Sequence, residues 1–280
     1  MLATCFFQKH LSKWFDLPAN FAIQSGVLRM CGRYTLKTPN PRLQELFGLQ
    51  DPPQLVPRFN VAPTQAVFAI RAADSATALR EAVMLRWGLI PFWAKDLAIG
   101  NTMINARAET VAEKPSFRQA FLKRRCLIPA DGFFEWEKLA NGKKQPWWIR
   151  LTDAEPFAMA GLWESWSPQP EISHADAGRL VRPTVVQSCT ILTIHANADM
   201  QSLHDRMPVI LPVEAWDAWL NPATDKGALQ ALLQPFEEGR LIRSAVSMIV
   251  NRPIVDAPEC ILECPPASNS LMPWGQQSTD

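Results

Sequence analysis

The chain has 280 residues and nearly equal numbers of basic and acidic side chains, 28 and 27, which give a formal net charge of +1. This balance argues against a highly basic protein that coats nucleic acid without specificity, although a local basic groove would not show in the sum. The length fits one large domain or two small ones, and no apolar run in the sequence is long enough to cross a membrane.

The first 29 residues do not have the pattern of a secretory signal. Lys9, Lys13 and Asp16 interrupt the apolar stretch, and no small-residue cleavage site follows it. We expect residues 1–29 to be an N-terminal extension, either a leader or the result of a mis-assigned start, and Met30 to be the functional first residue.

Cys31 directly follows Met30 and becomes N-terminal once that methionine is removed. An N-terminal cysteine carries an α-amine and a thiol on adjacent carbons, and the ordinary pKa values of these groups, about 8 and about 8.5, supply both nucleophiles near neutral pH. An aldehyde would condense with the amine to a Schiff base, which the thiol would close to a thiazolidine. The alternative is that Cys31 is a small buried apolar residue.

Downstream of Cys31, predicted helices and strands are mixed without an internal repeat, which indicates one α+β domain. Asn40 and Pro41 are placed to begin a helix, with Asn40 as its N-cap. Ser116 and Gln119 form a capping-box pattern ahead of a basic segment. Helices are predicted at 40–49, 116–125, 213–220 and 227–233.

Runs of β-branched and aromatic residues predict short strands throughout the chain. These runs lie at 67–72, 82–89, 126–129, 147–151, 190–195, 208–211 and 245–250. We expect a curved, barrel-like, mainly antiparallel sheet with flanking helices. Residues 165–183 are predicted to form an exposed loop, and residues 266–280 a mobile C-terminal tail.

The six cysteines do not form the dense framework of a disulfide-stabilised protein. We therefore expect reduced thiols and a cytoplasmic protein. Cys260 and Cys264 are four residues apart, but no second Cys or His pair at ligand spacing follows them. The sequence predicts no metal and no other cofactor.

Three polar clusters have residue types that Schiff-base chemistry needs. In Asn-Ala-Arg-Ala-Glu-Thr (105–110), Asn105 could hydrogen-bond an amine and Arg107 could bind a phosphate. In Asp-Gly-Phe-Phe-Glu-Trp (131–136), Glu135 lies between aromatic residues that would favour its neutral form and suit it to proton transfer. In His-Asp-Arg-Met-Pro (204–208), His204 could act as a general acid or base.

Each cluster also has a purely structural interpretation. Asn105 and Arg107 could be a turn asparagine and a surface arginine, Glu135 a carboxylate that faces water at a strand end, and His204 a structural histidine. All three clusters are predicted at junctions of turns and strands, where active sites commonly lie.

With these motifs in order, the chain from Met30 to about Pro265 resembles the SRAP (SOS response-associated peptidase) family. The resemblance also includes Cys-Gly-Arg-Tyr (31–34), Phe-Asn-Val-Ala-Pro-Thr (59–64) and Arg-Trp-Gly-Leu-Ile-Pro (86–91). It implies a single α+β domain at 30–265 with a barrel-like sheet core. It also implies a protein of the DNA damage response that shields abasic sites in single-stranded DNA by a covalent crosslink and cuts its own initiator methionine from Cys31.

The resemblance also implies roles for individual residues. Cys31 would be the crosslinking residue, Asn105 would position its amine, and Glu135 and His204 would transfer protons. Residues implied to contact DNA are Arg33 and Arg107 at phosphates, Trp93 stacked on bases, and Asn60 in the same groove. We also expect a nucleoid-associated protein that is a monomer, because binding of a single strand needs no symmetric partner, with replication or repair proteins as candidate partners.

Two other functions fit the same residues. A cysteine protease could use Cys31, His204 and Glu135 on foreign peptides, and turnover of peptide substrates would identify it. A non-covalent single-strand binder could use Trp93, Arg107 and the basic helix while Cys31 only packs, so that Cys31→Ala would leave binding intact.

Overall fold

The computed structural model describes residues 32–73, 79–168 and 185–266. The predicted N-terminal extension, Met30, Cys31 and residues 267–280 of the predicted tail lie outside the described residues, as do most of the predicted loop at 165–183 and residues 74–78. No helix in the described part of the chain has the length and apolar character to span a membrane.

Thirteen strands and five short α-helices form over these described ranges, joined by turns. The strands are β1 (Tyr34–Leu36), β2 (Arg58–Val61), β3 (Ala66–Ala72), β4 (Arg80–Trp87), β5 (Asn105–Arg107), β6 (Arg125–Ala130), β7 (Gly132–Lys138), β8 (Lys144–Leu151), β9 (Phe157–Trp166), β10 (Val186–His195), β11 (Arg206–Pro208), β12 (Ile210–Leu211) and β13 (Leu241–Ala245). The helices are α1 (Asn40–Phe47), α2 (Arg118–Lys123), α3 (Ala198–Gln201), α4 (Trp216–Leu220) and α5 (Lys226–Ala231).

Five strands of the larger sheet close into a barrel in the order β4, β3, β6, β9 and β10. The ring closes because β10 pairs antiparallel with β9 and parallel with β4. Closure of so few strands demands strong twist and close packing. Gly161 of β9 lies at such a crowded point, since a Cβ added there would be 2.8 Å from the Cys126 sulfur of β6.

The second sheet is antiparallel and has the order β13, β8, β7, β1 and β2. One face packs on the barrel, where the Phe133 ring meets Phe157 edge-on at 6.5 Å and the Tyr34 ring meets Trp87 at 5.5 Å. The other face covers a smaller apolar cluster that contains Phe134, Trp148, Val246, Val250 and Cys260.

The alternation of side chains along β7 orients Glu135. Phe133 belongs to the main core, whereas Phe134 and Trp136 pack in the smaller cluster. Because successive side chains of a strand point to opposite faces, Glu135 lies on the face of Phe133, toward the barrel.

The predicted α+β fold with a barrel-like, mainly antiparallel core is confirmed, and three local predictions are wrong. The capping box predicted at Ser116 and Gln119 does not form, because α2 begins at Arg118 with Phe117 as its N-cap and without a side-chain capping hydrogen bond. The strand predicted at 245–250 is instead the end of β13 followed by a 3-10 turn at Met248–Asn251, because Val246 and Val250 both pack in the smaller cluster. Asn40 is not an N-cap. It lies inside α1, where its side chain donates to the Pro53 carbonyl at 2.8 Å and accepts from the Leu55 N–H at 3.1 Å.

Candidate functional site

The described chain begins beside Glu135. Strands β1 and β7 pair with Tyr34 opposite Phe133, and the Phe134 N–H donates to the Arg33 carbonyl at 3.0 Å. This antiparallel register, continued to the start of the described chain, sets Gly32 opposite Glu135. Cys31 itself lies outside the described residues, and one peptide bond joins it to Gly32.

Glu135 is a buried carboxylate, with 3% of its surface exposed. Its cross-strand partner is Trp147 of β8, which packs against the main core. Water therefore reaches Glu135 poorly, as the aromatic residues around it in the sequence predicted. The alternative of a strand-end carboxylate that faces water does not fit this burial.

Asn105 begins β5, whose residues pair in parallel with β10, Asn105 opposite Ile191. A chain of contacts connects this point to β1. The indole N–H of Trp87 donates to the Ile104 carbonyl at 2.9 Å, and the same indole packs on Tyr34. The Trp87 ring therefore holds Ile104, the residue before Asn105. The same ring packs on Tyr34 of β1, which is two residues from Gly32.

His204 lies between α3 and β11, and 9% of its side chain is exposed. Its Nδ1 accepts the backbone N–H of Arg206 at 3.0 Å and is 2.8 Å from a carboxylate oxygen of Asp205. These contacts require opposite states of Nδ1. The first leaves the proton of a neutral imidazole on Nε2, whereas the second needs a proton on Nδ1. His204 therefore has a local partner for either state.

The loop that contains His204 is also connected to the strand next to Glu135. Ser202 accepts a hydrogen bond from Nη1 of Arg243 at 3.0 Å, and the Arg243 guanidinium lies over the Trp147 ring, 5.0 Å from its centroid. Trp147 is opposite Glu135. Short chains of contacts thus connect the segments that contain Asn105, Glu135 and His204 to the face of the second sheet that packs on the barrel.

Arg33 and Asn60 lie on the opposite face of the second sheet. Nη1 of Arg33 donates to Asn60 Oδ1 at 3.0 Å and to the Val250 carbonyl at 2.9 Å. Asn60 has no exposed surface, and its amide donates to the carbonyls of Val250, Arg252 and Val255 at 2.7–3.1 Å. Burial lowers the pKa of Arg33 from its ordinary value.

We expect Asn60→Ala to lower the free energy of unfolding by about 1–3 kcal/mol, because the substitution removes one buried acceptor of Arg33 and the amide that donates to three buried carbonyls. Urea denaturation measures the loss. Asn141→Ala, in an exposed turn where Asn141 accepts one N–H at 2.9 Å, is the control and should cost far less. Equal losses in the two variants would mean that the buried network contributes little.

Trp93 and Arg107 are on the surface, as their predicted contacts with DNA require. Trp93 is 46% exposed and its neighbour Phe92 is 58% exposed. The loop that contains Phe92 and Trp93 is held to the barrel, because the indole N–H of Trp166 donates to the Ala94 carbonyl at 2.7 Å. Gly88, just before this loop, has a φ of 122° and no room for a side chain, since a Cβ there would lie 2.4 Å from the Gly100 carbonyl oxygen.

An ion pair that the sequence did not predict joins Glu109 of the 105–110 motif to Arg206 of the 204–208 motif. Arg206 grips Glu109 with both terminal nitrogens, and the Nη2–Oε2 distance is 2.9 Å. Burial is the largest single influence on the pKa of Glu109 and raises it, but the hydrogen bond and charge of Arg206 together with backbone hydrogen bonds outweigh burial and leave that pKa below its usual range. The complementary charges in 105–110 and 204–208 were the available signal.

One surface cavity has a volume of about 420 Å³ and does not include the predicted site residues. It is lined by His195, Ala196, Asn197, Gln201, Gln234, Pro235, Phe236, Glu237 and Glu238. Among residues 32–73, 79–168 and 185–266, no group of three or more His, Cys, Asp and Glu side chains is arranged to hold a metal ion.

The chain is thus a single-domain α+β protein in which a closed barrel packs on an antiparallel sheet. The buried Glu135 lies near the first described residues. The family model described as "SOS response associated peptidase (SRAP)" matches residues 30–253. The chain belongs to the SRAP family.

Curated relatives support this assignment. The chain is 43% identical over 236 residues to the abasic site processing protein YoqW of Bacillus subtilis, a match that covers 83% of this chain and 99% of that protein. It is 28% identical over 285 residues to the abasic site processing protein HMCES of Pongo abelii, with 83% of this chain and 75% of that protein covered.

Solved structures have the same fold. A crystal structure of a protein from Bacteroides thetaiotaomicron is similar with a TM-score of 0.71 and 27% identity, covering 84% of this chain and all of that one. A protein from Bordetella bronchiseptica gives a TM-score of 0.60 at 28% identity, covering 78% of this chain and all of that one.

Proposed function

We propose that this protein processes abasic sites in single-stranded DNA by forming a covalent thiazolidine crosslink through an N-terminal Cys31. The observation that carries the proposal is the register of β1 and β7, which sets Gly32 opposite the buried carboxylate of Glu135. We propose that Cys31, which one peptide bond joins to Gly32, uses Glu135 as its proton-transferring group. The relatives named as abasic site processing proteins supply the substrate class.

The chemistry needs no cofactor. The α-amine of Cys31 attacks C1 of the ring-opened deoxyribose aldehyde, and the carbinolamine loses one water to give a Schiff base. The Cys31 thiolate then adds to the imine carbon, and the imine nitrogen takes up a proton. One C–N bond and one C–S bond form, the C=O bond is lost, and water is the leaving group.

Three residues assist these steps in our proposal. Asn105 holds the amine so that its lone pair faces the aldehyde carbon. Glu135 accepts a proton as the amine attacks and returns it as water leaves, a role suited to a carboxylate away from bulk water. His204 acts as a general acid in its protonated form, in which Asp205 can accept the Nδ1–H: Nε2 gives its proton to the sugar ring oxygen as the ring opens, and the imidazole is left neutral.

The DNA contacts divide into two groups. Trp93 and Arg107 are exposed and would act directly, Trp93 by stacking on a base beside the lesion and Arg107 at a phosphate. Arg33 and Asn60 are largely buried, so we propose that Arg33 reaches a phosphate only at its exposed edge and that Asn60 supports it from behind.

The remaining parts of the proposal concern processing and setting. Autocatalytic removal of Met30 would expose the amine, so the peptidase activity acts on the protein itself. The crosslink would shield the lesion during the DNA damage response, in the cytoplasm and at the nucleoid. A monomer is sufficient for this chemistry, and replication or repair proteins are the partners we would test.

Aldehyde capping tests the substrate requirement. An oligonucleotide with one abasic site is treated with methoxyamine, which converts the aldehyde to an oxime, and is then mixed with the protein. We expect the untreated oligonucleotide to give a heat-stable adduct on a denaturing gel and the capped one to give none. Adduct formation with the capped oligonucleotide would contradict aldehyde chemistry.

We expect Trp93→Ala to weaken binding to single-stranded DNA by about 1–3 kcal/mol, the usual contribution of one aromatic ring stacked on a base. Fluorescence anisotropy with an unreactive tetrahydrofuran analogue of the lesion measures this loss without crosslinking. Ile254→Ala is the control, since Ile254 is an apolar residue with 82% exposure that the proposal does not use. Unchanged affinity in Trp93→Ala would exclude the stacking role.

A further inference from the structure

The ion pair between Glu109 and Arg206 joins the turn that follows β5, the strand that begins at Asn105, to the start of β11, which follows His204. We propose that this pair is a positioning device, which holds Asn105 and His204 in their relative places across β10. The inference rests on the proposed function for its consequence in catalysis, whereas the positioning of the imidazole is a property of the protein alone.

Strand β10 lies between β5 and β11. Thr193 pairs with Arg107 of β5 on one edge and with Pro208 of β11 on the other. The two outer strands are therefore two strand spacings apart, about 10 Å. Backbone hydrogen bonds tie β5 and β11 to β10. A direct link between the turn after β5 and the start of β11 requires a long side chain that crosses β10.

Arg206 makes this crossing. Its Nη2 donates to the Thr193 carbonyl at 2.6 Å and to Glu109 Oε2 at 2.9 Å, while Nη1 donates to Glu109 Oε1. The Thr193 carbonyl also accepts the Ala108 N–H at 2.8 Å. A bidentate pair fixes orientation as well as distance, so it specifies where Glu109 lies relative to Arg206.

The same residue holds the imidazole. The backbone N–H of Arg206 donates to Nδ1 of His204, and the Asp205 carbonyl accepts the Ala196 N–H at 2.9 Å. Arg206 thus fixes His204 through its main chain and Glu109 through its side chain. Glu109 in turn is two residues from Arg107 and four from Asn105, in a turn closed by the Thr110 N–H on the Arg107 carbonyl at 3.1 Å.

Burial favours a positioning role over a surface contact. The Arg206 side chain is 11% exposed, and Glu109 is 42% exposed. His195 stands at the rim, with Nδ1 4.0 Å from Glu109 and 66% of its side chain exposed. The guanidinium is therefore held against β10, and its terminal nitrogens are occupied by Glu109 and Thr193.

Glu109→Gln tests the inference, because it keeps the size of the side chain and removes its charge. We expect the crosslinking rate at saturating oligonucleotide to fall at least about tenfold, since small displacements of reacting groups have large kinetic effects. The affinity for the tetrahydrofuran analogue should stay as in the unaltered protein. Glu109→Asp should recover part of the rate.

A readout that needs no activity accompanies the kinetics. The imidazole ¹⁵N resonances of His204, assigned by their loss in His204→Gln, should shift in Glu109→Gln. Glu155→Gln is the matched control, since it breaks the exposed pair that Glu155 makes with Arg42 at 2.7 Å, and it should change neither rate nor resonances.

The outcomes separate the two proposals. Unchanged rate and unchanged His204 resonances in a folded Glu109→Gln variant would overturn the positioning role, and so would weaker binding of the analogue with an unchanged saturated rate. If Glu109→Gln does not fold, Arg206→Lys, which keeps the charge but not the bidentate grip, is measured in the same way. If the unaltered protein forms no adduct, the proposed function fails, and the resonances alone decide whether the pair positions His204.

Discussion

Replacing Cys31 with alanine is expected to abolish the stable DNA adduct completely while single-strand binding remains. When the variant is prepared with Met30 already removed, the α-amine at position 31 can still form a Schiff base, but no thiol follows to close the ring, and an imine hydrolyses back to its components. Adduct on a denaturing gel measures the first effect, and anisotropy with the tetrahydrofuran analogue measures the second.

A graded series sharpens this test. In Cys31→Ala and Cys31→Ser, borohydride should trap the imine as a stable amine, although no adduct survives without reductant. Cys264→Ala is the matched control, because Cys264 is a free and partly exposed cysteine outside the proposed site, and it should crosslink at the full rate. If Cys264→Ala lost the adduct and Cys31→Ala kept it, the reactive cysteine would be Cys264 and the proposal would be contradicted.

Glu135→Gln is expected to slow crosslinking by about 10²-fold, the lower end of what a positioned general acid–base group contributes. Glutamine has the shape of glutamate but cannot take up or release the proton. Since Glu135 is 3% exposed, solvent would replace it poorly. Single-turnover rates at saturating oligonucleotide measure the effect, and affinity should not change.

Glu137→Gln is the control for this variant. Glu137 is on the same strand and the same face, and it accepts the indole N–H of Trp147 at 2.9 Å, a hydrogen bond that a glutamine oxygen can also accept. Its rate should stay close to that of the unaltered protein. Equal rates in the two variants would show that the proton passes through another group.

Local sequence patterns predicted the parts of the fold in which local propensity agrees with the final environment. Strands β3 and β4 are rich in residues that favour extended structure, and their ends differ from the prediction by at most two residues. Strand β9 was missed, although it is among the longest, because it contains Ala158, Ala160 and Gly161. Those small residues are dictated by crowding in the barrel, which no local pattern expresses.

The candidate site was predictable to a similar degree. The motifs indicated Glu135 and His204 as candidates, whose roles stay predictions, and the aromatic neighbours of Glu135 correctly predicted its burial. The buried hydrogen bonds of Asn60 and the pair between Glu109 and Arg206 were not predicted, because they join residues 190 and 97 positions apart. Such contacts depend on which distant segments the tertiary fold brings together.

Intact-protein mass spectrometry tests the central claim most directly. The chain that starts at Met30 is mixed with a single-stranded oligonucleotide that has one abasic site, and the masses of free and adducted protein are recorded. We predict a free protein that lacks Met30 and an adduct equal to that protein plus the oligonucleotide less one water. Retention of Met30 in the adduct, or no adduct from a folded protein that lacks Met30, would contradict the account.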